Sequence, residues 1–412
     1  MKTCIKNIRE IVGIVPQGVL RKQGAEMDKT GTLTDAYLLM EDERIVGFGA
    51  MSEMPQADAC IDAEGGMVLP SFCDSHTHIV YAGTRDGEFL DKINGLTYEE
   101  IAARGGGILN SSDRLHECSE DELYRQSMER VREMIQKGTG ALEIKSGYGL
   151  NPQDEMKMLR VIKRIQETCP AVVRRTFLGA HAIGRGYTHE EYVRVVCEEM
   201  IPQVAKEGLA DFVDVFCDTG FFTVEDTDRI LTAGRLYGLR PKIHANELEV
   251  SGGVQIGVKH GALSVDHLEK TTDAEIDALR GSETMATMLP GSSFFLGLPF
   301  GRAKDYIQAG LGVALASDYN PGSSPSGDMR FVWAMGCIKM RLTPVQALNA
   351  VTLNTAYAMG ISEDVGSITV GKRANLIITR PWHSLNMIPY HYQTPWIHQL
   401  ILNGKTLNNY DF

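Results

Sequence analysis

The chain has 412 residues, 43% hydrophobic and 23% charged, the balance of a globular protein with one large domain and a small appendage. A formal net charge of −12 argues against nucleic acid or an anionic membrane as partner, since both reward Lys and Arg. No run approaches the roughly 20 apolar residues of a membrane span. The opening residues carry neither the apolar core nor the cleavage site of a signal peptide, so a cytoplasmic location is expected. Eight scattered cysteines without a C-x-x-C pair fit free thiols in a reducing compartment.

The first sixty residues alternate short apolar runs with turn signals ("CIKNIREIVGIV", "AYLLMEDERIVGFG", "ACIDAEGG"), the pattern of strands and hairpins. Next, "PSFCDSHTHIVYAGTR", Pro70 to Arg85, ends an apolar run on His76 and His78. The excursion "AGTRDGEFLDKINGLTYEEIAARGGGILNSSD" follows. It is too long for a plain connection and sits where a loop covers a site; its "ARGGGI" stretch, Ala103 to Ile108, offers hinge-capable, anion-approachable backbone.

The centre of the chain alternates. Short β-branched runs end near His76, Lys145, His181, Cys217, His244, His267, Pro290 and Asp318, and most precede a helical pattern such as "NPQDEMKMLRVIKRIQE" or "TVEDTDRILTAGRLYG". Asn151, Thr188 and Thr223 stand where N-caps belong, Gly208 and Gly238 where C-caps do. Eight strand–helix units predict an α/β chain with a (β/α)8 barrel, because eight is the number that closes one. "DVGSITVGKRANLIITR" and "HQLILNGKTLN" then return to strand patterns. Two β-rich ends around a different centre predict a small β-domain from residues 1–65 and 363–412, with a barrel of residues 66–362 inserted between them.

The polar residues share one register. His76 and His78 end unit one, Tyr148 follows unit two, His181 ends unit three, His244 unit five, His267 unit six and Asp318 unit eight. Strand C-termini of such a barrel converge on one mouth, and residues i and i+2 of a strand point the same way. An H-x-H pair with later single His and a final Asp suits one divalent ion, zinc or iron, with a position left for water. In "KIHANELE", Glu247 is placed to move a proton, or else to sit at a helix N-terminus. His267 is a ligand, a group polarising water, or a core histidine. Arg85 is a clamp for a small-molecule carboxylate, or a surface ion pair. Asn320, Gly322 and Ser323 can present polar groups beside Asp318, or form an ordinary turn. Lys145 can in principle be carboxylated to bridge two metals, although one metal needs fewer ligands. Cys73 and the histidines at 116, 189, 260, 383, 391 and 398 read as structural.

The segments "DSHTHIVYAGTRDGEF", "ARGGGI", "EIKSGYGL", "FLGAHA", "IHANE", "VDHLE" and "ASDYNPGSS", in this order across nearly the whole chain, resemble the imidazolonepropionase family of the amidohydrolase superfamily. The chain departs at Ser71, where the family often has Gly. It departs again at Asn246 and Glu247, where the family often has Asp before the acid or Gln in its place. The resemblance implies a distorted TIM barrel with a small β-sandwich from both termini, a homodimer, and hydrolysis of 4-imidazolone-5-propanoate. It implies His76, His78, His244 and Asp318 as metal ligands. Arg85, Tyr148, His181, Glu247, Asn320, Gly322 and Ser323 then bind substrate, and Glu247, His267 and Asp318 are catalytic. The rivals are a cytosine or guanine deaminase of the same superfamily and a non-catalytic scaffold; the latter predicts broken ligands, and none is broken.

Overall fold

A computed structural model describes residues 1–96, 100, 104 and 106–407. Of the expected hinge stretch, Ala103 and Gly105 lie outside the described residues. The N-terminal strands are β1 (Lys2–Ile14), β2 (Gly31–Glu41), β3 (Arg44–Ala50), β4 (Ala59–Asp62) and β5 (Met67–Pro70). The central ones are β6 (Phe72–Thr77), β7 (Thr139–Lys145), β8 (Val172–Ala180), β9 (Phe212–Cys217), β10 (Arg240–Pro241), β11 (Ile243–Ala245), β12 (Ser264–His267), β13 (Met285–Met288) and β14 (Val313–Leu315). The chain ends with β15 (Leu376–Thr379), β16 (Ile397–Leu402) and β17 (Lys405–Thr406).

The central strands lie in the order β14-β13-β12-β11-β9-β8-β7-β6, all parallel and each beside its sequence neighbour. The fifth unit is two short pieces, β10 and β11, both on β9. Beyond β14 the backbone closes the ring on β6: the Asp318 N–H donates to the His76 carbonyl at 3.0 Å, and the His78 N–H to the Tyr319 carbonyl at 2.9 Å. The eight apolar runs are therefore the eight barrel strands, buried on both faces as a parallel sheet under helices must be. The helices start as expected. Asn151 accepts from the Asp154 N–H, while Thr188 and Thr223 form capping boxes with Glu191 and Asp226. Gly208 ends its helix at φ 61°, and Gly238 follows Tyr237 at φ 81°.

The terminal strands form one mixed sheet, β17-β16-β15-β5-β1-β2-β3 with β4 beside β1. Here β5 runs parallel to β1 and antiparallel to β15, which ties the two ends of the chain together. The sheet has its own apolar core, including Ile5, Ile11, Leu38, Val68, Leu376 and Ile401. Its hydrogen bonding is continuous, so the implied sandwich takes the form of a single sheet. That sheet includes Met67–Pro70, and the transition to the barrel falls at Ser71: the Ser71 N–H bonds Asn375 and the Phe72 N–H bonds Gly138. A break after residue 65 is thus a few residues early. The N-terminal region also leaves its sheet near Lys22–Lys29. There Asn349 and Asn354 of the barrel bond its backbone, and Met27 is fully buried. No helix among the described residues is long and apolar enough to cross a membrane.

Candidate functional site

His76 and His78 alternate with Thr77 at the end of β6, so both rings face the barrel mouth. Their Nε2 atoms are 3.2 Å apart, and the His244 Nε2, from β11, is 3.3 Å from that of His78. Asp318 Oδ1 is 3.6 Å from the Nε2 of both His76 and His78. His76 donates through Nδ1 to Asp266 at 2.7 Å, and His244 through Nδ1 to Asp214 at 3.1 Å. These carboxylates fix the tautomer and turn both Nε2 lone pairs inward. Burial, joined by neighbouring imidazoles and Lys145, pushes His76 and His78 well below the usual range; burial also lowers His244, against Asp214. Neutral imidazoles with converging lone pairs repel one another unless a cation sits between them, so this donor set fits a divalent metal.

Beneath the donors lies a fully buried ionic network. Lys145 Nζ is 2.7 Å from both Glu143 and Asp214. Lys242 Nζ bonds Glu143 Oε2 and the Ser75 carbonyl. Glu143, Lys145, Asp214, Lys242 and Asp266 are all 0% exposed. The Lys145 ammonium is held as a donor between carboxylates and is not free to bridge metals.

Beside the donors stand Glu247 and His267. His267 Nε2 is 3.5 Å from Glu247 Oε2, and its Nδ1 is 3.4 Å from Glu269 Oε2. Burial opposes the imidazolium, but Glu247 and Glu269 outweigh it and hold His267 well above the usual histidine range. Burial pushes Glu247 up to about 7, aided by Glu269 and Asp218 and opposed by His267. Burial likewise raises Asp318 to about 8. Glu247 is not at a helix N-terminus. It lies in a turn whose N–H groups at Glu247, Leu248 and Glu249 all donate to buried Asp218, at 2.8, 2.9 and 3.2 Å. Asn246, His267, Leu268 and Asp318 have φ between 55° and 82°. Backbone strain of roughly 1–3 kcal/mol per such residue is thereby concentrated at the mouth.

A cavity of about 140 Å³ opens above these groups. Its walls include His78, Arg85, Lys92, Tyr148, His181, Phe216, His244, Glu247, His267, Asp318, Asn320, Gly322 and Ser323. The His181 ring stacks on His78 at 5.1 Å and bonds the Gly147 carbonyl through Nδ1 at 3.0 Å; burial lowers it to about 3. Tyr148 packs against it at 5.4 Å. Arg85, also on the cavity wall, donates from Nε to Glu88 at 2.8 Å. A Cβ on Gly322 would collide with the Arg85 guanidinium. The Asn320 side chain is engaged within its own turn: Oδ1 accepts from the N–H of Gly322 and Ser323, and Nδ2 donates to the Asp318 carbonyl. It therefore shapes the wall and aims Asp318 and Ser323 without presenting a free amide.

Residues 180–407 match the model of the Amidohydrolase family. An imidazolonepropionase of Flavobacterium johnsoniae is 51% identical over 411 residues, which covers 99% of this chain and 100% of that one. The chain belongs to the imidazolonepropionase family. Two solved structures share its fold at low identity. A 5-methylcytosine deaminase from Klebsiella pneumoniae, liganded with phosphonocytosine, gives a TM-score of 0.74 at 16% identity, covering 97% of this chain and 98% of that one. An adenosine deaminase from Xanthomonas campestris with bound zinc gives 0.70 at 16% identity, covering 98% and 92%.

All the residues singled out in the sequence for the candidate site come together, and all but His76, which touches His78, line the one cavity. Cys73 is buried in a separate cluster with Ala141 and Met359, and all eight cysteines are free. His116, His189 and His260 pair with Asp154, Asp226 and Asp228, away from the cavity. Sequence reasoning missed Glu88, Lys92, Glu143, Asp214, Asp218, Lys242, Asp266 and Glu269. Part of that set was signalled by charged residues spaced i, i+2 inside apolar strands, as in Glu143/Lys145 and Lys242/His244.

Proposed function

We propose that the chain performs the family reaction, in which water opens the ring of 4-imidazolone-5-propanoate to give N-formimidoyl-L-glutamate, a step of histidine degradation. The observation that carries this reading is a single cavity lined both by inward-facing neutral imidazoles with Asp318 and by Arg85. One divalent ion, zinc or ferrous iron, held by His76, His78, His244 and Asp318, would lower the pKa of a bound water towards neutrality. The engagement of Lys145 with two carboxylates supports one ion over two.

The residues divide the remaining work. Glu247, raised to about 7, accepts a proton from the attacking water and returns it to the departing ring nitrogen. His267, held as imidazolium between Glu247 and Glu269, orients the water and offsets negative charge growing on the ring carbonyl. Tyr148 and His181 hold the ring, and Arg85, oriented by Glu88, receives the propanoate. The Asn320 turn sets Gly322 and Ser323 against the substrate. A cytoplasmic homodimer belongs to the same reading, and light scattering tests the dimer.

A deaminase shares the floor of this site, but a neutral base has no carboxylate for Arg85. Turnover should be measured with imidazolonepropionate, cytosine and guanine, with metal content measured on the same sample. Only the first should be consumed, and a chelator should abolish its turnover. Deamination of a base without ring opening of imidazolonepropionate would overturn the proposal.

A further inference from the structure

A propanoate in the cavity calls for positive charge, and Glu88 offsets much of what Arg85 supplies. Glu88 Oε2 accepts from Arg85 Nε at 2.8 Å and lies 2.7 Å from Nη2; the two side chains are only 8% and 10% exposed. Glu88 is itself pinned, with Oε1 accepting from the Gly107 N–H at 3.1 Å and from Asn110 Nδ2 at 3.0 Å. The pair is close to neutral as a unit, which leaves Arg85 as a shaped set of donors.

Lys92 is on the helix Asp86–Ile93, seven residues after Arg85 and so two turns along the same face. It lines the same cavity and is half-buried. Its Nζ donates to the Gly322 carbonyl at 2.9 Å and lies 5.6 Å from the Phe295 ring centroid. Among the described residues no carboxylate stands within ion-pair distance of it, and desolvation pushes its pKa down. An ammonium bonded to one carbonyl keeps two further N–H donors. Gly322 holds the arrangement together: its carbonyl anchors Lys92, and its missing Cβ makes room for the Arg85 guanidinium.

We propose that Lys92 is a further substrate-binding residue, whose uncompensated ammonium pairs with the substrate carboxylate while the Arg85–Glu88 pair fixes its orientation. This rests on the functional reading above. The test uses full-length, zinc-loaded protein and isothermal titration with imidazole-4-propanoate and its neutral isostere 4-propylimidazole, beside steady-state turnover of imidazolonepropionate. The native protein should prefer the acid. Lys92→Gln should cut that preference on the order of tenfold or more and raise KM by more than it lowers kcat, while Lys92→Arg keeps most of the preference. Added salt should erode the preference of the native protein and barely move that of Lys92→Gln. If the native protein does not turn over imidazolonepropionate, the functional reading fails and takes the Lys92 assignment with it. If it does, and Lys92→Gln keeps the acid preference within about twofold with unchanged metal content and Tm, Lys92 is not a tail ligand and the functional reading stands.

Discussion

Asp218 should control turnover without touching substrate. Its carboxylate is 3% exposed and accepts from the N–H groups of Glu247, Leu248 and Glu249 at 2.8–3.2 Å, and from Thr219 at 2.8 Å. A hydrogen bond to a charged group contributes roughly 1.5–3 kcal/mol. The turn is only partly buried, so water replaces some of what Asp218→Ala removes, and a net loss of about 2–4 kcal/mol in holding the turn is expected. Glu247 then leaves its place beside His267, where a displacement of about 1 Å can cost on the order of 100-fold in rate. Asp218→Ala should therefore lower kcat about 100-fold, with metal content unchanged and KM moved far less, and Asp218→Asn should fall between. The decisive assay is a double-mutant cycle with Glu247→Gln. If Asp218 acts by positioning Glu247, its loss adds little once Glu247→Gln is in place. Near-native kcat in Asp218→Ala, or fully additive losses in the cycle, would refute the reasoning.

Asp214→Ala frees the His244 ring and strips Lys145 of one partner; metal affinity should fall about 10–100-fold in a competition titration against a chromophoric chelator, and unchanged affinity would remove Asp214 from the support of the site. Lys145→Met leaves Glu143 and Asp214 short of a buried counter-charge and should cost roughly 3–5 kcal/mol in denaturant unfolding, whereas a loss below about 1 kcal/mol would mean that the network tolerates the vacancy. Glu247, raised to about 7, loses its charged form early as pH falls. Proton acceptance requires that charged form, so kcat should drop as the pH falls through about 7. Glu247→Gln should lower kcat on the order of 100-fold and flatten this acid limb; persistence of the limb would place the proton transfer elsewhere.

The barrel was legible because strands buried on both faces read as continuous apolar runs, and because His76, His78, His244, His267 and Asp318 recur at the ends of such runs. The break between the two domains was less so: only Ser71 separates Met67–Pro70 from Phe72–Thr77, both buried throughout, and which sheet each joins depends on partners remote in the chain, Leu376 for Pro70 and Thr139 for Phe72. Lys92 was invisible for a similar reason, since its anchor is a carbonyl 230 positions away. The eighth strand ends at Leu315, and Asp318 stands beyond it at φ 55°, a conformation that its own side chain does not announce.

The buried charges under the mouth follow from the metal donors once the fold is known. His76 and His244 need carboxylate acceptors at Nδ1, hence Asp266 and Asp214 on neighbouring strands. Carboxylates that deep need cations, hence Lys145 and Lys242, bridged by Glu143. Three carboxylates against two ammonium groups leave one excess negative charge in this network. Asp74, pushed up to about 7 by burial and bonded to the Ser317 N–H, stands outside this network. That excess under the neutral imidazoles of His76, His78 and His244 favours a cation between them.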